Sequence, residues 1–290
     1  MFDMRRREFV SLLGGAAAAW PLAARGQQAA IPVVGLLHGT LPEARRAEVA
    51  EFHRGLSKIS YVEGRNVAVE YRWAEGNYDR LPALAADLVK RQVSVIAAFG
   101  TAAALVASAD LAVKALEILK EAVPYATRFA VFLTPSAPWH RSFLQAAKVA
   151  GTKLGVQVHT ASVQTVEDLD GAFAMAVRER VDGILVQPTS LSRSHRAPLA
   201  DLALKHRLPS MFGGREYVEA GGLMSYAADY VDLTRRAATY IDKILKGSKP
   251  ADLPVELASK YLLAINLTTA KKLELNLPWF LQQRADEVIE

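Results

Sequence analysis

Ile31-Pro32-Val33-Val34-Gly35-Leu36-Leu37-His38-Gly39-Thr40 decides the fold class. The stretch is a short, nearly continuous apolar run that ends on small residues, and such a run reads as a strand buried on both faces. A strand of that kind belongs to a parallel sheet covered by helices, so a helix should follow it. Residues 43–60 supply one, with Ala47, Phe52 and Leu56 at inward positions. Gly64-Arg65-Asn66 is a turn, and residues 66–73 alternate, with Val67, Val69, Tyr71 and Trp73 on one face of a second strand. Residues 81–90 read as a helix and 93–99 as a third strand, closed by Gly100-Thr101.

Further along, residues 101–121 are rich in Ala, Leu and Lys with no breaker, so one long helix is expected, ended by Pro124. A second series of units follows. Its strands are expected at 129–133, 156–162, 183–187, 209–212 and 223–226, with helices over about 138–154, 166–180 and 193–206. Residues 229–246 form the clearest helix. Asp229 caps it, Asp232 lies in the positive first turn, and Leu233, Ala237, Ile241, Ile244 and Leu245 make one apolar stripe. Gly247 stops it. The tail holds a strand-like piece at 257–265, a helix at 268–273 and a stop at Leu277-Pro278. Repeated strand–helix alternation specifies an α/β protein with parallel sheets. The halves are unequal: three strands precede the long helix and five follow it before residue 229.

The first residues read as an export signal. Arg5-Arg6-Arg7 precede an uncharged, Ala/Gly-rich run from Phe9 to Ala24, and Ala24-Arg25-Gly26 offers small residues where a signal peptidase cuts. Paired arginines before x-Phe point to the twin-arginine route. The run falls short of the roughly 20 residues a membrane span needs. Cleavage after Gly26 leaves 264 of the 290 residues, enough for two lobes. The leader holds four arginines against Asp3 and Glu8, so about +3 of the formal +5 stays with the remainder. That charge is too small for nucleic-acid binding, and no basic run interleaved with aromatics is present. Cysteine is absent, which excludes thiol nucleophiles, disulfides and thiolate metal sites.

No enzyme pattern emerges. The six histidines (38, 53, 140, 159, 195 and 206) show no metal-binding helix spacing. Neither a Gly-x-Ser-x-Gly elbow, a Gly-Lys-Ser/Thr phosphate loop nor a Gly-x-Gly-x-x-Gly turn occurs. No catalytic residue, metal site or cofactor is therefore expected. What remains is the set of strand ends: His38-Gly39-Thr40, Gly100-Thr101, Thr134-Pro135-Ser136, Pro188-Thr189-Ser190, Phe212-Gly213-Gly214 and Tyr226. In open parallel sheets ligands sit beyond the carboxyl ends of strands. Hydroxyls and glycines there, with Phe212 and Tyr226 as aromatic walls, suit a small polar ligand. The candidate ligand-binding residues are His38, Thr40, Gly100, Thr101, Thr134, Thr189, Phe212 and Tyr226. Residues of these types also start helices and turns, so each position alone reads either way.

Longer blocks carry a family resemblance. They are the leader with Trp20-Pro21-Leu22-Ala23-Ala24-Arg25, Tyr61-Val62-Glu63-Gly64-Arg65-Asn66, Glu70-Tyr71-Arg72-Trp73-Ala74-Glu75-Gly76 and Gly222-Leu223-Met224-Ser225-Tyr226. Tyr240 to Gly247, Lys249-Pro250-Ala251-Asp252-Leu253-Pro254-Val255-Glu256, Ile265 to Lys271 and Arg284 to Glu290 continue the pattern. Over nearly its whole length the chain resembles ABC-transporter substrate-binding proteins of the tryptophan/tyrosine-uptake type. The resemblance implies two Rossmann-like lobes joined by a hinge, the type 1 periplasmic-binding fold, with ligand captured by lobe closure. It also implies a periplasmic monomer that delivers a small molecule, an amino acid being one option, to a membrane permease driven by an ATPase subunit. The organisation implied is a signal peptide at 1–26, an N-terminal lobe at 27–110, a C-terminal lobe at 111–255, and a hinge return with the C-terminal segment at 256–290. One departure stands out. Family members insert two further strands and a Gly-Asp-Pro loop after the stretch matching Gly100-Thr101-Ala102-Ala103-Ala104, whereas here the long helix follows directly. The first lobe is thus shortened. A ligand-sensing partner of a membrane signalling protein and a binding-impaired form of the family stay open beside the uptake receptor.

Overall fold

The computed structural model describes residues 31–99, 102–254, 258 and 260–290. Its first sheet has three parallel strands, β1 (Val33–His38), β2 (Ala68–Trp73) and β3 (Val95–Phe99), in the order β2-β1-β3. The apolar run that opens the fold is therefore the central strand, and Val34 and Leu36 are fully or nearly buried. A 3-10 turn (Pro42–Arg45) leads into α1 (Arg46–Lys58), which turns Phe52, Gly55 and Leu56 inward while Ala47, expected inside, faces solvent. Helix α2 (Leu81–Lys90) covers the opposite face through Leu88. Any side chain larger than hydrogen at Gly35 would meet it, since an added Cβ lies 2.9 Å from a Leu88 methyl.

Helix α3 (Ala102–Ala122) then carries the chain into a second sheet of seven strands. These are β4 (Arg128–Leu133), β5 (Gln157–Ser162), β6 (Ile184–Val186), β7 (Ser210–Phe212), β8 (Met224–Ala228), β9 (Tyr261–Asn266) and β10 (Glu287–Ile289). Their order is β10-β9-β8-β7-β6-β4-β5. One apolar cluster joins α3, α4 (His140–Leu154) and the C-terminal helices to one face. A second joins α5 (Asp168–Arg178), α7 (Arg196–Lys205) and Tyr217 of α8 (Arg215–Glu219) to the other. A short helix, α6 (Ser190–Ser194), precedes α7, so the helix expected over 193–206 is broken at His195.

Helix α9 (Tyr230–Leu245) is capped as its sequence predicts: Asp229 Oδ1 accepts from the Asp232 amide at 2.9 Å. Chain order groups it with the second lobe. Its packing does not, because Ala238 and Ile241 complete the apolar cluster of Val34, Leu36, Phe52 and Leu56 on the first sheet. The chain then returns, so β9 enters beside β8 antiparallel, the one reversed pairing in a sheet expected to be parallel. Asn266 caps α10 (Leu267–Lys272), after which α11 (Trp279–Arg284) and β10, neither visible as a pattern, close the chain. No helix among the described residues is long and apolar enough to cross a membrane.

Within the described residues β3 pairs only with β1, which leaves it an edge strand. A groove of about 370 Å³ runs between this edge and α9, lined by Val95 to Phe99 with Leu233, Ala237, Ile244 and Leu253.

Candidate functional site

In the first sheet the three strands end level with one another. His38 stands in register with Trp73 on one side and Phe99 on the other, and its ring stacks on both at 5.4 and 6.2 Å. The Thr40 amide donates to His38 Nδ1 at 3.1 Å, and the Thr40 hydroxyl contacts the same atom at 3.0 Å. Nδ1 is thereby the acceptor of a neutral ring. Burial, then the nearby charges of Arg45 and Arg193, push His38 down to about 3, so protonation is excluded near neutral pH.

The second sheet contributes the ends of β4 and β6. The Thr134 amide donates to Gln187 Oε1 at 2.9 Å, and the Thr134 and Thr189 hydroxyls lie 3.2 Å apart. Thr189 starts α6 by a reciprocal cap: its Oγ1 accepts from the Ser192 amide at 3.2 Å and its own amide donates to Ser192 Oγ at 2.9 Å. Ser192 Oγ also reaches the Tyr217 hydroxyl at 2.8 Å, so α6 is anchored from below.

The two sets of ends touch. Ser190 Oγ donates to the Gly39 carbonyl at 3.1 Å, and the Ser190 amide donates to the Tyr78 hydroxyl at 3.2 Å. The Tyr78 ring meets Trp139 edge-on at 5.3 Å. Gly39 and Tyr78 belong to the first lobe, Ser190 and Trp139 to the second, so this is a lobe-to-lobe seam. Two arginines flank it. Arg45 Nη1 holds Glu48 Oε1 at 2.6 Å with its guanidinium 5.3 Å from the Tyr230 ring centre. Arg193 pairs with Glu216 and is held below its ordinary value by burial and by Arg45.

Of the residues read from the sequence, the structure brings His38, Thr40, Thr134 and Thr189 to this seam, all four buried. Gly100 and Thr101 lie outside the described residues. Phe212, expected as an aromatic wall, is 1% exposed and stacks on Tyr217 at 4.9 Å inside the second lobe's core. Tyr226 stacks instead on Tyr261 at 5.7 Å, beside α3. Sequence reasoning missed Tyr78, Trp139, Arg45 and Arg193. Tyr78 follows the Gly76-Asn77 turn after β2, the same kind of strand end that singled out the others, whereas the arginines sit among ordinary helix-surface charges and carry no distinguishing pattern. No group of three His, Cys, Asp or Glu side chains among the described residues is placed to hold a metal.

The family model of ABC transporter substrate binding proteins matches residues 105–289, more than half of the chain. The chain belongs to that family. Solved structures place this substrate-binding protein in the type 1 periplasmic-binding fold. A conserved domain protein from Vibrio cholerae is 23% identical, with a TM-score of 0.79, over 89% of this chain and 99% of the other. An ABC domain from Streptococcus pneumoniae in complex with L-Trp is 20% identical, with a TM-score of 0.78, over the same shares. A ligand-free, open substrate-binding protein with adhesive properties from Clostridium difficile is 18% identical, with a TM-score of 0.63, over 90% and 99%. At these identities the likeness establishes the fold. No curated protein sequence matches this substrate-binding protein.

Proposed function

We propose that this substrate-binding protein is an exported receptor that captures a small polar ligand between its lobes and delivers it to a membrane permease coupled to an ATPase subunit. The observation that carries the reading is the seam itself. Strand ends from two separate sheets converge on it, and polar groups there make bonds from one lobe to the other through Ser190, Gly39 and Tyr78. A ligand bound at such a seam contacts both lobes only when they are closed, so binding and closure are the same event thermodynamically. Closure then presents the permease with a surface that the open form lacks. The basic leader with its apolar centre supplies the export step. The ligand-facing groups are His38, Thr40, Thr134 and Thr189.

A thermal-shift screen of the protein lacking residues 1–26 tests the reading, using amino acids, small carboxylates, amides and sugars. A concentration-dependent rise in Tm for one class, with a smaller radius of gyration in solution scattering, supports it. A flat response across all classes overturns it. The three-stranded first sheet favours a second reading, a family member with weakened binding, whose mark is a saturable shift only at millimolar ligand.

A further inference from the structure

We propose that two copies of this chain pair edge to edge through β3, antiparallel about a two-fold axis at Ala97. The three strands of each first sheet then join into one continuous sheet. This goes beyond the receptor reading, since the family resemblance implies a monomer. A free sheet edge is ordinarily blunted by charged side chains, by proline or by shortness. Strand β2 carries Glu70 and Arg72, β5 carries Gln157 and His159, and β10 is three residues long and holds Glu287. Strand β3 reads Val95-Ile96-Ala97-Ala98-Phe99, without one polar side chain, and within the described residues it pairs only with β1. Across the groove of about 370 Å³, α9 presents Leu233, Ala237, Tyr240 and Ile244, spaced as one helix face. All four are half-buried, so this side of the helix is not covered by the described residues.

A second copy fits this edge by its symmetry. A two-fold axis in the sheet edge makes the pairing antiparallel, and at Ala97 it sets Val95 opposite Phe99 and Ile96 opposite Ala98, so all of β3 is matched. Each β3 then lies in the other copy's groove between a sheet edge and a helix, the setting in which an added strand gains main-chain hydrogen bonds together with apolar contact. Charge does not oppose the contact: Arg236, the one charged residue lining the groove, is paired with Asp232 at 3.1 Å in its own chain. Pairing also closes the assembly. It uses both β3 edges and leaves β2, with Glu70 and Arg72, at either end of the joined sheet. A two-fold contact of this kind stops at two copies, whereas a head-to-tail one grows. The chain has little of its own to lay there. Residues 100–101 and 255–257 are too few to run the length of β3, and removal of residues 1–26 leaves four before Ile31.

Sedimentation of the protein lacking residues 1–26, between about 1 and 100 μM, tests the proposal. A dimer in reversible exchange with monomer is expected. Ala98 is exposed on the edge, and Ala98→Lys should raise the dissociation constant at least about tenfold, because pairing would strip water from the new charge. Cross-linking reads the register. The chain has no cysteine, so a single introduced one can bridge only two copies. Antiparallel pairing about Ala97 holds the two Cα atoms of that residue about 4.5–5.5 Å apart, within reach of a disulfide. Under a mild oxidant Ala97→Cys should give a covalent dimer, and Gln157→Cys, exposed on the β5 edge, should not. A monomer at every concentration, assembly that grows past two copies, a dimer indifferent to Ala98→Lys, or equal cross-linking at both positions overturns the proposal. So does a monomer whose β3 amides resist hydrogen exchange, since another segment then occupies the edge. If Ala98→Lys does not fold, the two cysteine variants decide.

Discussion

Gly55→Ala should weaken the first lobe although alanine is the better helix former. Replacing a mid-helix glycine by alanine ordinarily gains about 0.8–1.0 kcal/mol. At Gly55 the new methyl would lie 2.8 Å from the Arg235 carbonyl oxygen and 3.0 Å from Ala238 Cβ. The nearest obstacle is backbone, so it cannot rotate away, and relief requires moving α9 off α1. Those helices seal the cluster of Val34, Leu36, Phe52, Leu56 and Ile241, each no more than 2% exposed. Overpacking of this kind costs about 1–3 kcal/mol, which outweighs the propensity gain and leaves a net loss of about 1 kcal/mol. Gly171 in α5 is the internal control. An added Cβ there meets nothing within 4 Å, so Gly171→Ala should stabilise by about 0.5–1 kcal/mol. Urea unfolding of both variants beside the parent protein, followed by circular dichroism, reads the two signs. Equal stabilisation by both substitutions would refute the reasoning, because it would mean that α1 and α9 are not in close backbone contact.

Three further outcomes follow from the same geometry. His38 is held neutral down to about pH 3, whereas in the unfolded chain it titrates near 6.5. The unfolded state thus binds the extra proton, and stability falls as pH drops from 6.5 toward 3, by on the order of 3 kcal/mol at pH 4. His38→Gln should flatten that part of the unfolding-versus-pH curve, and an unchanged slope would remove His38 as its cause. Tyr78→Phe and Ser190→Ala should be non-additive in chemical unfolding, with a coupling of about 0.5–1.5 kcal/mol, and strict additivity would mean that the seam does not form in solution. Ala98 is exposed on the β3 edge, so Ala98→Lys should raise the temperature at which light scattering detects association. An unmoved onset would clear that edge of responsibility.

Much of the architecture was readable because burial leaves a period in the sequence. The central strand of the first sheet, the long unbroken α3 and the Asp229 cap follow from local patterning and stand where the pattern put them, whereas of the expected α9 stripe Ile241 is buried and Leu233 and Ala237 line the groove beside β3. The pieces that escaped were α8, α11 and β10, each no more than six residues long and too short to repeat a period enough times to show one. Of the strand ends, His38, Thr40, Thr134 and Thr189 were legible as positions because each follows an apolar run, although Thr189 also caps a helix, as residues of its type do. Phe212 was misread as a wall because an aromatic at a strand end looks the same whether its ring turns outward or, as here, onto Tyr217.

The sequence by itself determined two series of strand–helix units of unequal length, since these are functions of neighbouring residues. Tertiary structure decided what lies far apart in the chain. It sent α9 back onto the first sheet, reversed β9, and set Gly39 and Tyr78 against Ser190. The reason is physical: periodicity reports which face of an element is buried, but not which other element buries it.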